Sequence, residues 1–287
     1  MVNHAEELNV EVETLSGKEN TQATYVSKLL ESSLHSSNAR AIMGHADQQE
    51  SMLNTLKGYA MAVGCGLPKD ILKAKALLQK EASKGYLPAK HFYAQLSLEE
   101  IIPVGNDEND LPRMMVECAR NDFVPSMLWL GNYFLQKNKN EHAFLWFDKA
   151  AKRGSFTACY ARGGMYAMGL GCLRDIEKAE KDMQFVYDNC KNEELAMDAG
   201  FRLALIYKLE LQSADYNQKA EDILFQLAKK GHPDAQYEYS FILCSKNDSD
   251  FIYWLNQAIQ NGHEGAIKTA EEILDKYEAK MPVNGKE

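Results

Sequence analysis

The chain has 287 residues, with 32 Lys and Arg against 41 Asp and Glu, for a net charge of −9. That balance argues against general binding to nucleic acid or to anionic membranes, which needs a basic footprint, but it is compatible with a basic partner. At 45% hydrophobic and 25% charged residues, without an apolar stretch of spanning length, the composition is that of a folded chain with no membrane span.

Residues 1–20 carry Glu6, Glu7, Glu11, Glu13 and Glu19 against Lys18. They lack the basic flank and apolar core of a signal peptide, and a disordered acidic leader is expected. The simplest address is cytoplasmic. A periplasmic or secreted mature form that has lost its signal peptide would read the same way. Residues 21–52 are expected to form helices that cap the N-terminal end of a repeat array, and 276–287 a flexible tail.

From residue 53 the chain repeats itself. GCGLPKDILKA from Gly64 parallels GLGCLRDIEKA from Gly169, each match offset by 105 residues. WFDKAAKRG from Trp146 parallels WLNQAIQNG from Trp254. Gly-x-x-x-Ala recurs at Gly85, Gly154, Gly231 and Gly262. Taking that Ala as a start places units at 53, 89, 126, 158, 199, 235 and 266, with Leu53 and Ser126 in place of Ala. Self-similarity at such spacing marks an array of helical repeats.

Within a unit, a small residue stands five places after the start, as Gly131, Gly163 or Ala204 does, and an apolar residue follows three further on. That is helical spacing, with the small residue admitting a close neighbour. A second apolar face comes next, as in Ala143, Phe144, Trp146, Phe147 and Ala150. Each unit therefore reads as helix A, turn, helix B. Gly64 and Gly169 stand where helix A ends, and Asp70 and Asp175 where helix B needs an N-cap. A phosphate-binding glycine loop would need a preceding strand and further motif residues that are missing. Pro88, Pro125 and Pro233 sit at the starts of helices A, where a missing N–H costs little.

ACYARGGMYAMGLG from Ala158, followed by D-x-x-K-A at Asp175–Ala179, resembles the Sel1-like repeat, a relative of the tetratricopeptide repeat. Arg162 departs from it by standing in the place of Leu. The resemblance covers residues 53–275 and implies an all-α protein, an α/α superhelical solenoid of about seven helix-turn-helix repeats. The unit from Ala89 departs further, with the acidic connector EEIIPVGNDENDLPR in place of the Gly-x-Gly turn. Units from Ser126, Ala199 and Ala235 lack that turn as well.

No catalytic motif is present. Gly-x-Ser-x-Gly, His-Glu-x-x-His and Ser-x-x-Lys are all missing, and the six cysteines show no zinc-like spacing and read as buried free thiols. Neither cofactor nor metal is expected. His232 and His263 follow equivalent boundary glycines and read as polar turn residues. Trp146, Trp254, Tyr166 and Tyr207 read as core.

A non-enzymatic module binding another protein or peptide is the expectation, as adaptor or inhibitor. The resemblance allows two alternatives. One is a bacterial immunity protein that plugs a basic toxin. The other is a cell-wall or β-lactam-related enzyme, against which the absence of Ser-x-x-Lys and of regular cysteine pairs counts. By resemblance to tetratricopeptide arrays, partner-facing places lie two, six and nine residues after each start, on the concave side. These are His91, Gln95, Leu98, Leu128, Asn132, Leu135, Tyr160, Gly164, Phe201, Lys208, Tyr237 and Phe241. For Tyr160 and Tyr237, packing between helices stays open as the other role.

Overall fold

The computed structural model describes residues 45–103 and 111–278. The expected leader, most of the expected N-terminal cap, the middle of the acidic connector and most of the tail lie outside these residues. Among the described residues there are thirteen α-helices and no strand. The chain is an all-α solenoid of helical repeats, and its described residues divide into two compact units, the break falling between Arg153 and Gly154.

The first unit holds α1 (His45–Val63), α2 (Ile71–Ser83), α3 (Leu87–Leu98), α4 (Leu111–Arg120), α5 (Val124–Gln136) and α6 (Asn140–Ala151). Each packs on the next, and α1 also meets α3. Helices A are α1, α3 and α5. α1 is one continuous helix across the boundary expected at residue 53. The second unit holds α7 (Phe156–Met168), α8 (Ile176–Asn189), α9 (Glu193–Ile206), α10 (Ala214–Lys229), α11 (Pro233–Ser245), α12 (Phe251–Gln260) and α13 (Glu264–Glu278). Here helices A are α7, α9, α11 and α13, and consecutive helices again pack together. A five-residue π-helical turn, Tyr207–Leu211, extends α9.

The turns follow from local chemistry. Asp70 and Asp175 cap α2 and α8 by accepting from the amides of Lys73 and Lys178. Gly169 ends α7 at φ 68°, a left-handed backbone that glycine adopts without steric cost. Where the glycine turn is missing, other residues take the left-handed place: Asn138 at φ 56°, Asn247 at φ 56° and Gln212 at φ 37°. Asparagine tolerates that conformation better than most side chains, which accounts for the reversals at Asn138 and Asn247. Pro88, Pro125 and Pro233 stand in the first turns of α3, α5 and α11.

Packing rests on the small residue of each helix A. A Cβ on Gly131 would lie 2.7 Å from two ring carbons of Phe147, and one on Gly58 would lie 2.9 Å from Leu78. Phe147, Leu56, Leu78, Tyr93 and Met115 form the core of the first unit, and Met183, Leu203, Leu224 and Leu227 that of the second. Each large apolar side chain buried in this way contributes roughly 1.5–3 kcal/mol. Tyr207 and Trp146 are buried as expected, whereas Tyr166 and Trp254 are half-buried.

Charged groups lie inside these layers at two places, each with its partners. Glu81 on α2 accepts from Ser51 and Asn54 of α1 at 2.6 and 2.8 Å and pairs with Lys84. Burial pushes its carboxyl up, but the bonds from Lys84, Ser51 and Asn54 outweigh that and hold it below the ordinary glutamate range. Arg162 on α7 grips Asp182 on α8 with two hydrogen bonds, Nε to Oδ2 at 2.8 Å and Nη2 to Oδ1 at 2.7 Å. The residue that departs from the repeat pattern thus has its answer on the facing helix.

All six cysteines are free, but they are not uniformly buried. Cys65, Cys118 and Cys159 are in the core, Cys172 and Cys190 are half-buried, and Cys244 is exposed, because it follows the last buried residue of α11 at a helix end. Burial pushes the Cys118 thiol up to about 12, so it stays a neutral core group.

Candidate interaction surface

The faces of helices A hold the residues expected to meet a partner. On α3, His91 does not fit that expectation. It is 3% exposed, with Nδ1 2.9 Å from Ser126 Oγ and its ring edge-on to Phe92 and Phe123. The reason is the small Ser126 at the start of α5, which leaves room for the imidazole between helices. Burial lowers the His91 pKa from 6.5 to about 3, against a weaker opposing hydrogen bond with Gln95.

This makes the first unit acid-sensitive. Above pH 6.5 the ring is neutral both folded and unfolded. Between pH 6.5 and 3 only the unfolded chain takes up the proton, so stability falls with pH by about 1.4 kcal/mol per unit. Urea unfolding at pH 7 and pH 5 should show His91 costing about 2 kcal/mol at the lower pH. The variant His91→Gln should lose correspondingly less on acidification. An equal loss in both proteins would rule out His91 as the cause.

The first unit carries a cleft of about 450 Å³ between α3 and α5, lined by Leu98, Glu99, Trp129, Asn132, Tyr133, Gln136 and Lys137. Trp129 and Tyr133 stack at 5.2 Å and an interplanar angle of 12°. Asn132 is exposed beside them, and Gln95 donates to Glu99 at 3.0 Å on the opposite wall. Leu128 and Leu135 are half-buried.

In the second unit a cleft of about 280 Å³ lies between α7 and α9, with Gly164, Ala167, Met183, Leu205 and Ile206 within it and Met168, Leu209, Arg202 and Glu210 at its edges. Tyr160 and Tyr237 are struts between neighbouring helices. Arg202 Nε donates to the Tyr160 hydroxyl, with the guanidinium 5.0 Å from the ring centre. The Tyr237 hydroxyl lies 2.9 Å from Thr269 Oγ1, and its ring meets His263 and Phe241. Phe201 stacks on His232, Lys208 pairs with Glu238 at 2.8 Å, and Phe241 is 43% exposed.

His232 and His263 do more than fill turns. Each accepts at Nδ1 from the amide three residues on, capping α11 and α13, and presents Nε2 to Asp198 or Asp234 on the preceding helix A. That arrangement fixes the Nε2–H tautomer. Among the described residues no three His, Cys, Asp or Glu side chains cluster so as to hold a metal ion, and no helix is long and apolar enough to cross a membrane.

The structure brings Leu98 and Asn132 into one cleft and places Gly164 in the other. It adds Trp129, Tyr133, Arg202 and Leu209, which the spacing rule passed over, and Leu205, which stands at one of the rule's places, six after Ala199. The four outside the rule stand three, seven or ten places after their unit starts, each one place on from two, six or nine. One place is about 100° of rotation, so the open face extends to one side of the tetratricopeptide pattern. The signal for it was Trp129 and Arg202, large side chains outside the recurring apolar places.

Three segments, 58–86, 124–155 and 157–181, match the Sel1 repeat family. No curated protein matches the chain. Among solved structures, one similar fold is a protective antigen present in uropathogenic Escherichia coli strains that displays an SLR fold. It has a TM-score of 0.66 at 18% identity, over 89% of this chain and 58% of the antigen. The chain thus spans little more than half of that protein's length. A second is a Sel1 repeat protein from Oxalobacter formigenes, with a TM-score of 0.59 at 17% identity, over 88% of this chain and 77% of that one.

Proposed function

Because Sel1 repeats occupy three segments of this chain, we propose that it is a non-enzymatic interaction module that holds a protein or peptide partner against the faces of its helices A, as an adaptor or inhibitor. The observation that carries this reading is the pair of clefts between successive helices A, one in each unit, with exposed aromatic and apolar walls beside hydrogen-bonding groups. Aromatic side chains in partly open pockets with polar rims are the usual anchors of protein recognition. Six cysteines without a disulfide suit a reducing compartment, in keeping with a cytoplasmic address. The inhibitor form, including an immunity protein against a basic toxin, takes its support from the net charge of −9.

Affinity capture from the native source tests the reading, followed by affinity measurement with the purified partner. Trp129→Ala combined with Asn132→Ala should weaken binding roughly thirtyfold, the scale of a hot-spot truncation. A basic partner should also dissociate as salt rises. Unchanged affinity of both this variant and one altered in the second cleft would overturn the proposal.

A further inference from the structure

We infer that the cleft between α7 and α9 receives an aliphatic side chain of the partner, and that an Asp or Glu side chain next to it pairs with Arg202. This rests on the reading above and names what that one cleft selects. At about 280 Å³ the space is smaller than the roughly 300–1,000 Å³ of small-molecule sites, and its interior is apolar. It suits one side chain.

Two features of the chain are unexplained by packing and converge here. Gly164 sits inside α7, where glycine weakens a helix relative to alanine. Its backbone is not left-handed, and a Cβ there would meet nothing within 4 Å. Its neighbour Gly163 differs, since a Cβ on it would lie 3.0 Å from both Asp182 and Met183. Gly164 therefore keeps the cleft open and does not serve helix contact. On the other wall, the π-helical turn Tyr207–Leu211 carries Leu209 and Glu210 to the rim. Such wide turns are rare and occur frequently at functional sites. Leu209 and Met168 are 57% and 59% exposed at that rim.

Charge completes the description of the occupant. Arg202 is exposed, and its position is fixed through Nε on the Tyr160 hydroxyl and the ring beneath. A guanidinium held in this way suits a carboxylate. Glu210 at the far end pairs with Arg174 at 2.6 Å, so the acid of the rim is engaged away from Arg202. The complementary segment carries an apolar residue beside an acid.

A random peptide library displayed on phage, selected on the whole chain, tests this. Enriched peptides should share Leu, Ile or Met next to Asp or Glu, and a synthetic peptide of that consensus should bind in fluorescence anisotropy. Gly164→Leu, which fills the cleft, should weaken it about thirtyfold, and Arg202→Gln about tenfold. Leu209→Asp, at an exposed rim position, should weaken it as well without touching the core. Replacing the peptide's acid by its amide should cost nothing further on Arg202→Gln. Enrichment without that pair of residues, an empty selection, or equal affinity for Gly164→Leu and Leu209→Asp would each overturn the assignment. Peptides that ignore those variants but lose binding on Trp129→Ala would sink it while leaving the broader interaction role standing.

Discussion

Asp182→Ala should lower the stability of the second unit by about 3 kcal/mol, with Arg162→Leu costing a similar amount. The pair is largely withdrawn from water, with side-chain exposures of 17% and 12%, and it is bidentate. Removing either partner strands the other charge between α7 and α8, and the penalty is the desolvation of that orphan. The double variant Arg162→Leu with Asp182→Ala removes both charges and restores the apolar residue of the repeat pattern. It should recover to within about 1 kcal/mol of the parent, because buried ion pairs are often replaceable by well-packed apolar groups. Urea unfolding of all four proteins closes the double-mutant cycle. Independent, additive losses would show that the two groups do not depend on each other.

Gly131→Ala should destabilise the first unit by about 1–3 kcal/mol, although alanine is the better helix former by up to about 1 kcal/mol. The new methyl would fall 2.7 Å from two Phe147 ring carbons and 2.9 Å from a third. Phe147 is 1% exposed, so the ring has nowhere to retreat, and overpacking outweighs propensity. Adding Phe147→Leu should return part of the lost stability, since a narrower side chain clears the methyl. A Gly131→Ala protein that melts above the parent would show that the helices separate without cost.

Much of the fold was legible because its determinants are local. Asp70 and Asp175 cap the helices they precede, Gly169 ends its helix in the left-handed region, and Gly131 lies against its own helix B, all within one repeat. The surface was less legible because it is set between repeats. His91 occupies a place that could have faced outward, but Ser126, in the next repeat, opens a slot for it. Arg162 was visible as a departure, yet only the pairing of α7 with α8 reveals Asp182 as its cause. Tyr160 and Tyr237 hold Arg202 and Thr269, partners 42 and 32 residues away. The clefts take in residues one step round the helix from the places a tetratricopeptide pattern selects as well as residues at those places, and how far the open face extends depends on how neighbouring helices cross.

The two-sided histidines have a consequence for how the second unit comes apart. His263 closes the start of α13 and reaches back to Asp234, and His232 closes the start of α11 and reaches back to Asp198. Each ring joins the hydrogen bond that begins one helix A to a contact with the helix A before it. Loss of α13 therefore loosens α11, and loss of α11 loosens α9, so unravelling that starts at the C-terminal end travels inward like a zip drawn tooth by tooth.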